Sequence, residues 1–175
     1  MVKHMQTARI VAALVLLTGW AGAQQNRASP HATANVTLKG KQVSIAYGRP
    51  SMRGRKIVGD LVPFGQVWRT GADEATAFVT PLNLTIGRVV IPAGSYTLYS
   101  LPAENSWKLI VNKQIGQWGT EYDQSQDLVR IDMQESKTKA PVEQFTISWN
   151  KTGADKADLV LEWENTRLTV PVTAN

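Results

Sequence analysis

The sequence predicts an all-β protein: an antiparallel β-sandwich, with a jelly-roll-like or barrel closure as the alternative, and one long ordered loop. Three observations predict it. Apolar residues recur at every second position, the period of a strand with one buried face. Turn-forming residues separate these segments at short intervals, which suits antiparallel strands because they need only short links. No sustained 3.6-residue period of a long helix occurs.

The first 23 residues have the composition of a secretory signal peptide. Lys3 and Arg9 precede an apolar run at 10–17, and small residues end the segment at Ala23. The run is shorter than the roughly 20 apolar residues of a membrane-spanning helix. We therefore expect cleavage after Ala23, export to the periplasm or the cell exterior, and no membrane span.

The remaining chain is predicted to be a polar lead at 24–30 followed by one domain at 31–175. A domain of this length buries a sizeable core without disulfides, and the chain has no cysteine. The whole chain carries 19 Lys+Arg against 14 Asp+Glu, and the two basic residues at positions 3 and 9 leave with the signal peptide. So small a positive excess does not predict the clustered basic face of a nucleic-acid partner.

Strands are expected in three groups. The first is a hairpin with alternating Val36 and Leu38, a turn at Gly40 and Lys41, and alternating Val43, Ile45 and Tyr47. The second group, residues 75–112, has turns spaced for a meander. The C-terminal third predicts four strands, around 129–133, 145–149, 159–163 and 168–172, with polar or turn-forming residues between them at 137–141, 150–156 and 164–165. Trp107, Trp149 and Trp163 fall on apolar faces and are predicted core residues.

The first hairpin and the second group are joined by 27 residues without periodicity, residues 48–74, here called the connector. Loops longer than about 12 to 15 residues are uncommon in compact domains and tend to be functional or disordered. Its apolar side chains predict that it docks on the sheet and is ordered; they are Ile57, Val58, Leu61, Val62, Phe64, Val67 and Trp68.

The connector also concentrates charge. Its basic residues are Arg49, Arg53, Arg55, Lys56 and Arg69, and its acidic residues are Asp60, Asp73 and Glu74. Ordered guanidiniums can clamp a carboxylate, phosphate or sulfate through bidentate hydrogen bonds. In the other interpretation, which we favour slightly, Arg49, Arg55 and Arg69 pair with the three acidic residues and with loop carbonyls, and so lock the loop.

The connector carries a family resemblance. Its run GRPSMRGRKIVGDLVPFGQVWRTGADEAT, followed by IPAGSYTLYSLP, NSWKLIVNK and LEWENTRLTVPV, resembles the bacterial secreted family catalogued as domain of unknown function 2911. The resemblance covers roughly residues 29–172 and rests on a long motif of mixed composition. It implies export and a compact β-rich domain, and it implies no substrate.

Several kinds of chemistry are disfavoured by residue type. Only His4 and His31 occur, and His4 leaves with the signal peptide. A serine–histidine–aspartate arrangement would need His31 in the lead, where a base is not rigidly held. Neither a histidine or cysteine metal centre nor a nucleotide cofactor is predicted, since no phosphate-cradling glycine loop leads into a helix. The acidic residues Glu121, Asp123 and Asp127 match no EF-hand spacing and are interpreted as a solvated loop rather than a calcium site.

Three functions remain open. The favoured one is a non-catalytic binding module for an anionic or carbohydrate ligand, with candidate contacts at Arg49, Arg53, Arg55, Trp68, Arg69 and Trp118. The second is a hydrolase that uses Glu74 with Asp73, positioned by Arg69, since glycosidases need paired carboxyl groups. The third is an envelope protein that presents a sheet edge to a partner.

The signal-peptide prediction is tested by the mass of the exported chain. We expect a mature protein of 152 residues that begins at Gln24. Intact-mass spectrometry of protein secreted by a bacterial host checks this. Replacing Ala21 and Ala23 with leucine should block cleavage, because the peptidase needs small side chains there. A full-length mass for the wild-type chain would contradict the prediction.

Overall fold

The computed structural model describes residues 28–104 and 106–175, so the predicted signal peptide and its cleavage point lie outside the described residues. Within these ranges the chain forms nine strands and one short 3-10 turn at Gln124–Gln126. The strands are β1 (His31–Leu38), β2 (Lys41–Gly48), β3 (Thr76–Thr80), β4 (Leu84–Ile86), β5 (Val89–Ile91), β6 (Gly94–Leu101), β7 (Trp107–Asn112), β8 (Asp127–Lys151) and β9 (Lys156–Ala174).

The nine strands form one sheet in the order β1-β2-β3-β6-β7-β8-β9-β4-β5. Neighbouring strands are antiparallel throughout this sheet. The prediction of an all-β, antiparallel fold is therefore confirmed. Across the described ranges, no helix has the length and apolar character needed to cross a membrane.

Strand β8 belongs to both halves of the sheet. Its first residues pair with β7, where Trp107 lies opposite Met133, and its last residues pair with β9, where Lys151 lies opposite Ala157. The C-terminal third thus forms two long strands where the sequence predicted four. A long strand shared in this way lets one continuous sheet bend around its own core.

The two polar stretches predicted as turns are irregularities inside these long strands. The register of β8 and β9 shifts between Lys137 and Val142, and Glu164 in β9 has φ 54°. Polar residues and Pro141 interrupt the ladder of hydrogen bonds, but the chain remains extended on both sides. The polar and turn-forming residues correctly predict that the strand is interrupted there. They do not show whether the chain reverses its direction.

The hairpin β4–β5 leaves the predicted meander. Phe78 on β3 lies opposite Tyr96 on β6, so these two strands are direct neighbours. Thr85 on β4 instead lies opposite Thr173 on β9. Leu84 and Ile86 are fully buried there, because the short hairpin covers the far end of the sheet with its apolar face.

One hydrophobic core joins strands from both halves of the sheet. The hydroxyl group of Tyr47 on β2 accepts a hydrogen bond from Ile147 N at 2.8 Å and contacts Ile147 O at 3.2 Å on β8. The indole N–H of Trp149 donates to Ala34 O on β1 at 3.4 Å. As predicted, Trp107 and Trp163 are buried in this core, and Trp149 is half-buried against it.

The connector is ordered and docked, as the sequence predicts. Trp68 forms an isolated antiparallel bridge with Ser100 on β6. The distance is 2.8 Å from Trp68 N to Ser100 O and 2.9 Å from Ser100 N to Trp68 O. Near its start, Met52 N donates to Glu143 O at 2.8 Å and Phe145 N donates to Pro50 O at 2.9 Å. The connector therefore extends the hydrogen bonding of β2 onto β8.

Apolar anchors and one carboxylate hold the middle of the connector. Ile57 and Val62 are each 1% exposed, whereas Leu61 and Phe64 are exposed at the surface. One oxygen of Glu164 on β9 accepts the N–H groups of Ile57 at 3.3 Å and Val58 at 3.0 Å. The predicted docking is therefore made by a subset of the apolar residues, helped by a distant acidic side chain.

Gly48 marks the closest backbone approach at the base of the connector. A Cβ atom at Gly48 would lie 2.2 Å from Ala72 O. We expect Gly48→Ala to lower the free energy of unfolding by about 3 kcal/mol, because backbone at both sides must shift. Gly153→Ala is the matched control, since its Cβ would make only ordinary contacts of 3.6 Å or more. Urea denaturation measures both, and equal stabilities would contradict the prediction.

Candidate functional site

An open cleft of about 510 Å³ lies where the connector meets the sheet. Small-molecule sites have volumes of about 300–1,000 Å³. The lining residues come from five parts of the chain: Ala28 and Ser29 before β1; Pro50, Ser51, Arg53, Arg55, Leu61, Val67, Trp68, Arg69, Gly71, Ala72 and Asp73 of the connector; Tyr99 of β6; Gly119, Thr120 and Tyr122 between β7 and β8; and Trp163 of β9.

Two of the candidate arginines hold the connector in place. Arg49 donates from Nε to Phe145 O at 3.2 Å and from Nη2 to Thr146 Oγ1 at 2.9 Å, and it does not line the cleft. Arg55 lines the cleft but donates from Nε to Met52 O at 2.9 Å and from Nη2 to Ser51 O at 2.8 Å. These bonds tie the Arg55 side chain to its own turn and the Arg49 side chain to β8, so both guanidiniums are used to hold the connector.

The other two arginines, Arg53 and Arg69, line the cleft and have guanidinium donors that no described residue uses. Arg69 uses Nε to reach Gly71 O at 3.2 Å, and its stem packs so closely that a Cβ at Gly119 would lie 2.7 Å from its Cδ. Within the described ranges, the Nη groups of Arg69 and the whole guanidinium of Arg53 make no hydrogen bond or ion pair. Arg53 and Arg69 are therefore the connector cations best placed to meet a ligand.

The predicted ion pairs inside the connector do not form among the described residues. Arg49, Arg55 and Arg69 bond to carbonyl and hydroxyl oxygens instead of to the acidic side chains. The interpretation of locking is thus right for Arg55 and Arg69, which bond to connector carbonyls, and wrong for carboxylate partners; Arg49 bonds to strand β8 instead. Of the acidic side chains, Asp73 accepts the N–H of Ser29 and Glu74 lies against His31.

Asp73 and Glu74 lie in different surroundings. Asp73 lines the cleft, is 7% exposed, and accepts a hydrogen bond from Ser29 N at 3.2 Å. Glu74 is not a lining residue, and its carboxylate lies 3.0 Å from Nε2 of His31. The structure therefore does not place the two carboxyl groups of the hydrolase hypothesis together in the cleft.

Aromatic rings form a second side of the cleft. Trp68 stacks on Trp163 with ring centroids 5.6 Å apart and meets Phe145 edge-on at 4.9 Å. Tyr99 and Tyr122 meet edge-on at 4.8 Å. Trp118, a predicted ligand contact, does not line the cleft; its backbone pairs with Glu74, and only the residues after it reach the wall.

Tyr122 is held by a charged network behind the cleft wall. Its hydroxyl donates to Asp127 Oδ2 at 2.7 Å and accepts from Arg130 Nη2 at 3.0 Å. Asn112 donates to the other oxygen of Asp127 at 2.9 Å. Burial, and then the hydrogen bond to Asp127, raises the pKa of Tyr122 to about 12. Burial also raises the pKa of Tyr99.

The acidic residues Glu121, Asp123 and Asp127 do not converge. Asp123 caps the 3-10 turn by accepting Ser125 N at 2.8 Å and Ser125 Oγ at 2.7 Å. Asp127 is paired with Arg130 and only 12% of its side chain is exposed, so it is not the solvated residue that the sequence predicted. Among the described residues, no group of three acidic, histidine or cysteine side chains could hold a metal ion.

Three backbone outliers lie in the connector at or beside the cleft. Arg53, Thr70 and Asp73 have φ values of 50°, 54° and 64°. For the β-branched Thr70 this conformation is a genuine outlier. Thr70 is fully buried, and its hydroxyl lies 2.9 Å from Ser100 Oγ. Surrounding hydrogen bonds thus hold the strained turn in place.

Sequence reasoning missed several lining residues. Tyr99 and Trp163 lie on strands and were assigned by alternation only to a strand face, which says nothing of the neighbouring connector. Tyr122 lies in the acidic stretch, where an aromatic ring among polar residues was the available signal. Ser29 and Gly119 carry no signal by themselves, because their place at the cleft follows from chain segments that meet only in three dimensions.

Comparison with known proteins identifies a family and no activity. The family model described as a protein of unknown function, DUF2911, matches residues 29–172. No curated protein and no solved structure matches the chain. The matched span contains every lining residue of the cleft except Ala28.

The raised pKa of Tyr122 predicts a loss of stability at alkaline pH. Its pKa is about 12 in the folded protein, whereas the pKa of an unperturbed tyrosine is about 10. The unfolded chain releases this proton first, so the contribution is present below pH 10 and disappears as the pH rises to about 12. Urea denaturation across this range should show a steeper decline for the wild type than for Tyr122→Phe. Tyr96→Phe, outside the network, is the control. Identical slopes in the wild type and Tyr122→Phe would contradict the assignment.

Proposed function

Because the chain belongs to this family of unknown function, we propose its function from the cleft: non-catalytic binding of a small anionic ligand, with sugar acids and sugar phosphates as candidates. The observation that carries the proposal is the pair of guanidiniums at Arg53 and Arg69. Both line the cleft, and both keep donors that no described residue uses. Guanidinium groups suit carboxylate, phosphate and sulfate because their planar donors bond two oxygens at once.

The rest of the wall supports a ligand that has a ring or an apolar body. Trp68, Tyr99, Tyr122 and Trp163 give the cleft aromatic surface beside its cations. Small-molecule sites combine such apolar lining with a few placed polar groups. A sugar acid or sugar phosphate offers both parts, since its ring has an apolar face and its substituent carries the negative charge.

Backbone strain at the cleft supports a binding role as well. Left-handed conformations at Arg53, Thr70 and Asp73 are unfavourable for residues with a Cβ, by about 1–3 kcal/mol each. Strain of this kind clusters at sites where a side chain must be held in one direction. Two of the three strained residues, Arg53 and Asp73, line the cleft.

We place this binding in the periplasm or outside the cell, on the strength of the signal peptide at residues 1–23. There the ligand would be a nutrient, an envelope fragment or an extracellular acid rather than a cytoplasmic intermediate. No catalytic step is part of the proposal, because Glu74 contacts His31 and does not line the cleft beside Asp73.

The test is a ligand panel with charge-matched variants. Glucose 6-phosphate, galacturonate and sulfate are titrated calorimetrically into the mature protein. Arg69→Ala and Arg53→Ala should each weaken a bound member roughly 10- to 100-fold, as expected for a hydrogen-bonded charge pair. Arg88→Ala removes the same charge from an exposed residue that does not line the cleft, and should leave the affinity unchanged.

Two further measurements sharpen the result. Arg69→Lys keeps the charge but loses the planar fork, so it should restore little of the affinity. Circular dichroism checks that each variant is folded, since the Arg69 stem packs against Gly119. The proposal fails if no panel member binds, or if Arg88→Ala weakens binding as much as the cleft variants do.

A further inference from the structure

Asp73 is a buried carboxylate in the wall of an otherwise basic cleft. It lines the cleft and is 7% exposed. One of its oxygens, Oδ2, accepts the N–H of Ser29 at 3.2 Å, and Oδ1 accepts no hydrogen bond from a described residue. Because Asp73 is a lining residue, this second oxygen is the acceptor that it can offer to a ligand in the cleft.

No cation pairs with Asp73 among the described residues. The ion pairs of the described residues involve other carboxylates, those of Glu74, Asp127, Asp132 and Glu162. Arg69, four positions earlier and in the same wall, turns its Nε to Gly71 O instead. The cleft therefore holds a carboxylate and guanidinium groups side by side without joining them.

Keeping these charges apart is unfavourable in the free protein. A buried carboxylate is normally paired or fully hydrogen-bonded, because its removal from water is otherwise uncompensated. A protein that needed only to order this loop would gain by pairing Asp73 with Arg69. Separated opposite charges in one cleft are complementary to a ligand that carries both charges itself.

We propose that the cleft takes a small zwitterion, with its anionic group on Arg53 and Arg69 and an ammonium group on Asp73. The inference rests on the proposed function and narrows its ligand class from anions to molecules that also carry a cation. Amino sugar phosphates have this chemistry, with a ring to lie against Trp68 and Tyr122. Aromatic rings line the same cleft, and a ligand ammonium within reach of a ring face gains a further attraction.

The competing explanation is that Asp73 only caps the chain before β1. That role needs one acceptor for Ser29 N and a residue that tolerates φ 64°. Asparagine meets both needs, since its carbonyl oxygen accepts and it adopts left-handed conformations readily. Asp73→Asn therefore removes the charge while keeping the structural role, which separates the two explanations.

The experiment compares three probes that differ at one substituent: glucosamine 6-phosphate, N-acetylglucosamine 6-phosphate and glucose 6-phosphate. We expect the wild type to bind glucosamine 6-phosphate about tenfold or more tightly than the other two, as a charge-assisted hydrogen bond provides. Asp73→Asn should remove this preference, and should leave the affinity for glucose 6-phosphate unchanged or raised. The comparison of probes on the wild type stands even if the variant does not fold.

The outcomes separate the two proposals. Equal affinity for the three probes, with Arg69→Ala weakening all of them, keeps anion binding and overturns the zwitterion. If galacturonate alone binds, and its binding depends on Arg69, anion binding is again kept and the zwitterion is overturned. A preference for glucosamine 6-phosphate that survives in Asp73→Asn also overturns it. If none of these compounds binds, the proposed function fails and the inference fails with it.

Discussion

The cleft depends on Trp68, which ties the connector to both halves of the sheet. Its backbone pairs with Ser100 on β6, while its ring packs on Phe145 of β8 and Trp163 of β9. One residue thus combines a backbone bridge with ring packing on the aromatic cluster. Because Trp68 is only half-buried, its ring contributes less than the about 1.5–3 kcal/mol of a fully buried large side chain. With this anchor in place, the segments on either side of it become two walls of a cleft rather than a free loop.

When a loop docks on a sheet, its backbone N–H and C=O groups leave water and need hydrogen-bond partners in the protein. The connector does so with side chains from near and far: Arg55 reaches carbonyls of its own turn, Arg49 reaches β8, and Glu164 of β9 accepts two connector N–H groups. These residues are committed to structure. Arg53 and Arg69 have similar chemistry and lie in the same segment, but they line the cleft with donors that no described residue uses. Position in the fold thus divides one residue type into two roles.

The same division applies to the acidic residues. Glu74 lies against His31, and Asp127 is enclosed by Tyr122 and Arg130, so both carboxylates have partners within the protein. Asp73 is as buried as a core residue and lines a cleft that contains cations, but it forms no ion pair with any described residue. Opposite charges that stay separate at a concave surface are a physical reason to look for a ligand there.

The sequence alone determined that the chain is all-β and that the connector docks, because a half-buried strand must alternate and an apolar loop must cover its surface. The resemblance carried by the connector motif is confirmed by the family match over residues 29–172. Tertiary structure decided which strands are neighbours, that β8 is a single long strand, and which arginines face the cleft. Alternation specifies a face and not a partner. Whether Arg49 meets a ligand or the carbonyl of Phe145 depends on contacts between residues about a hundred positions apart, which no local pattern encodes.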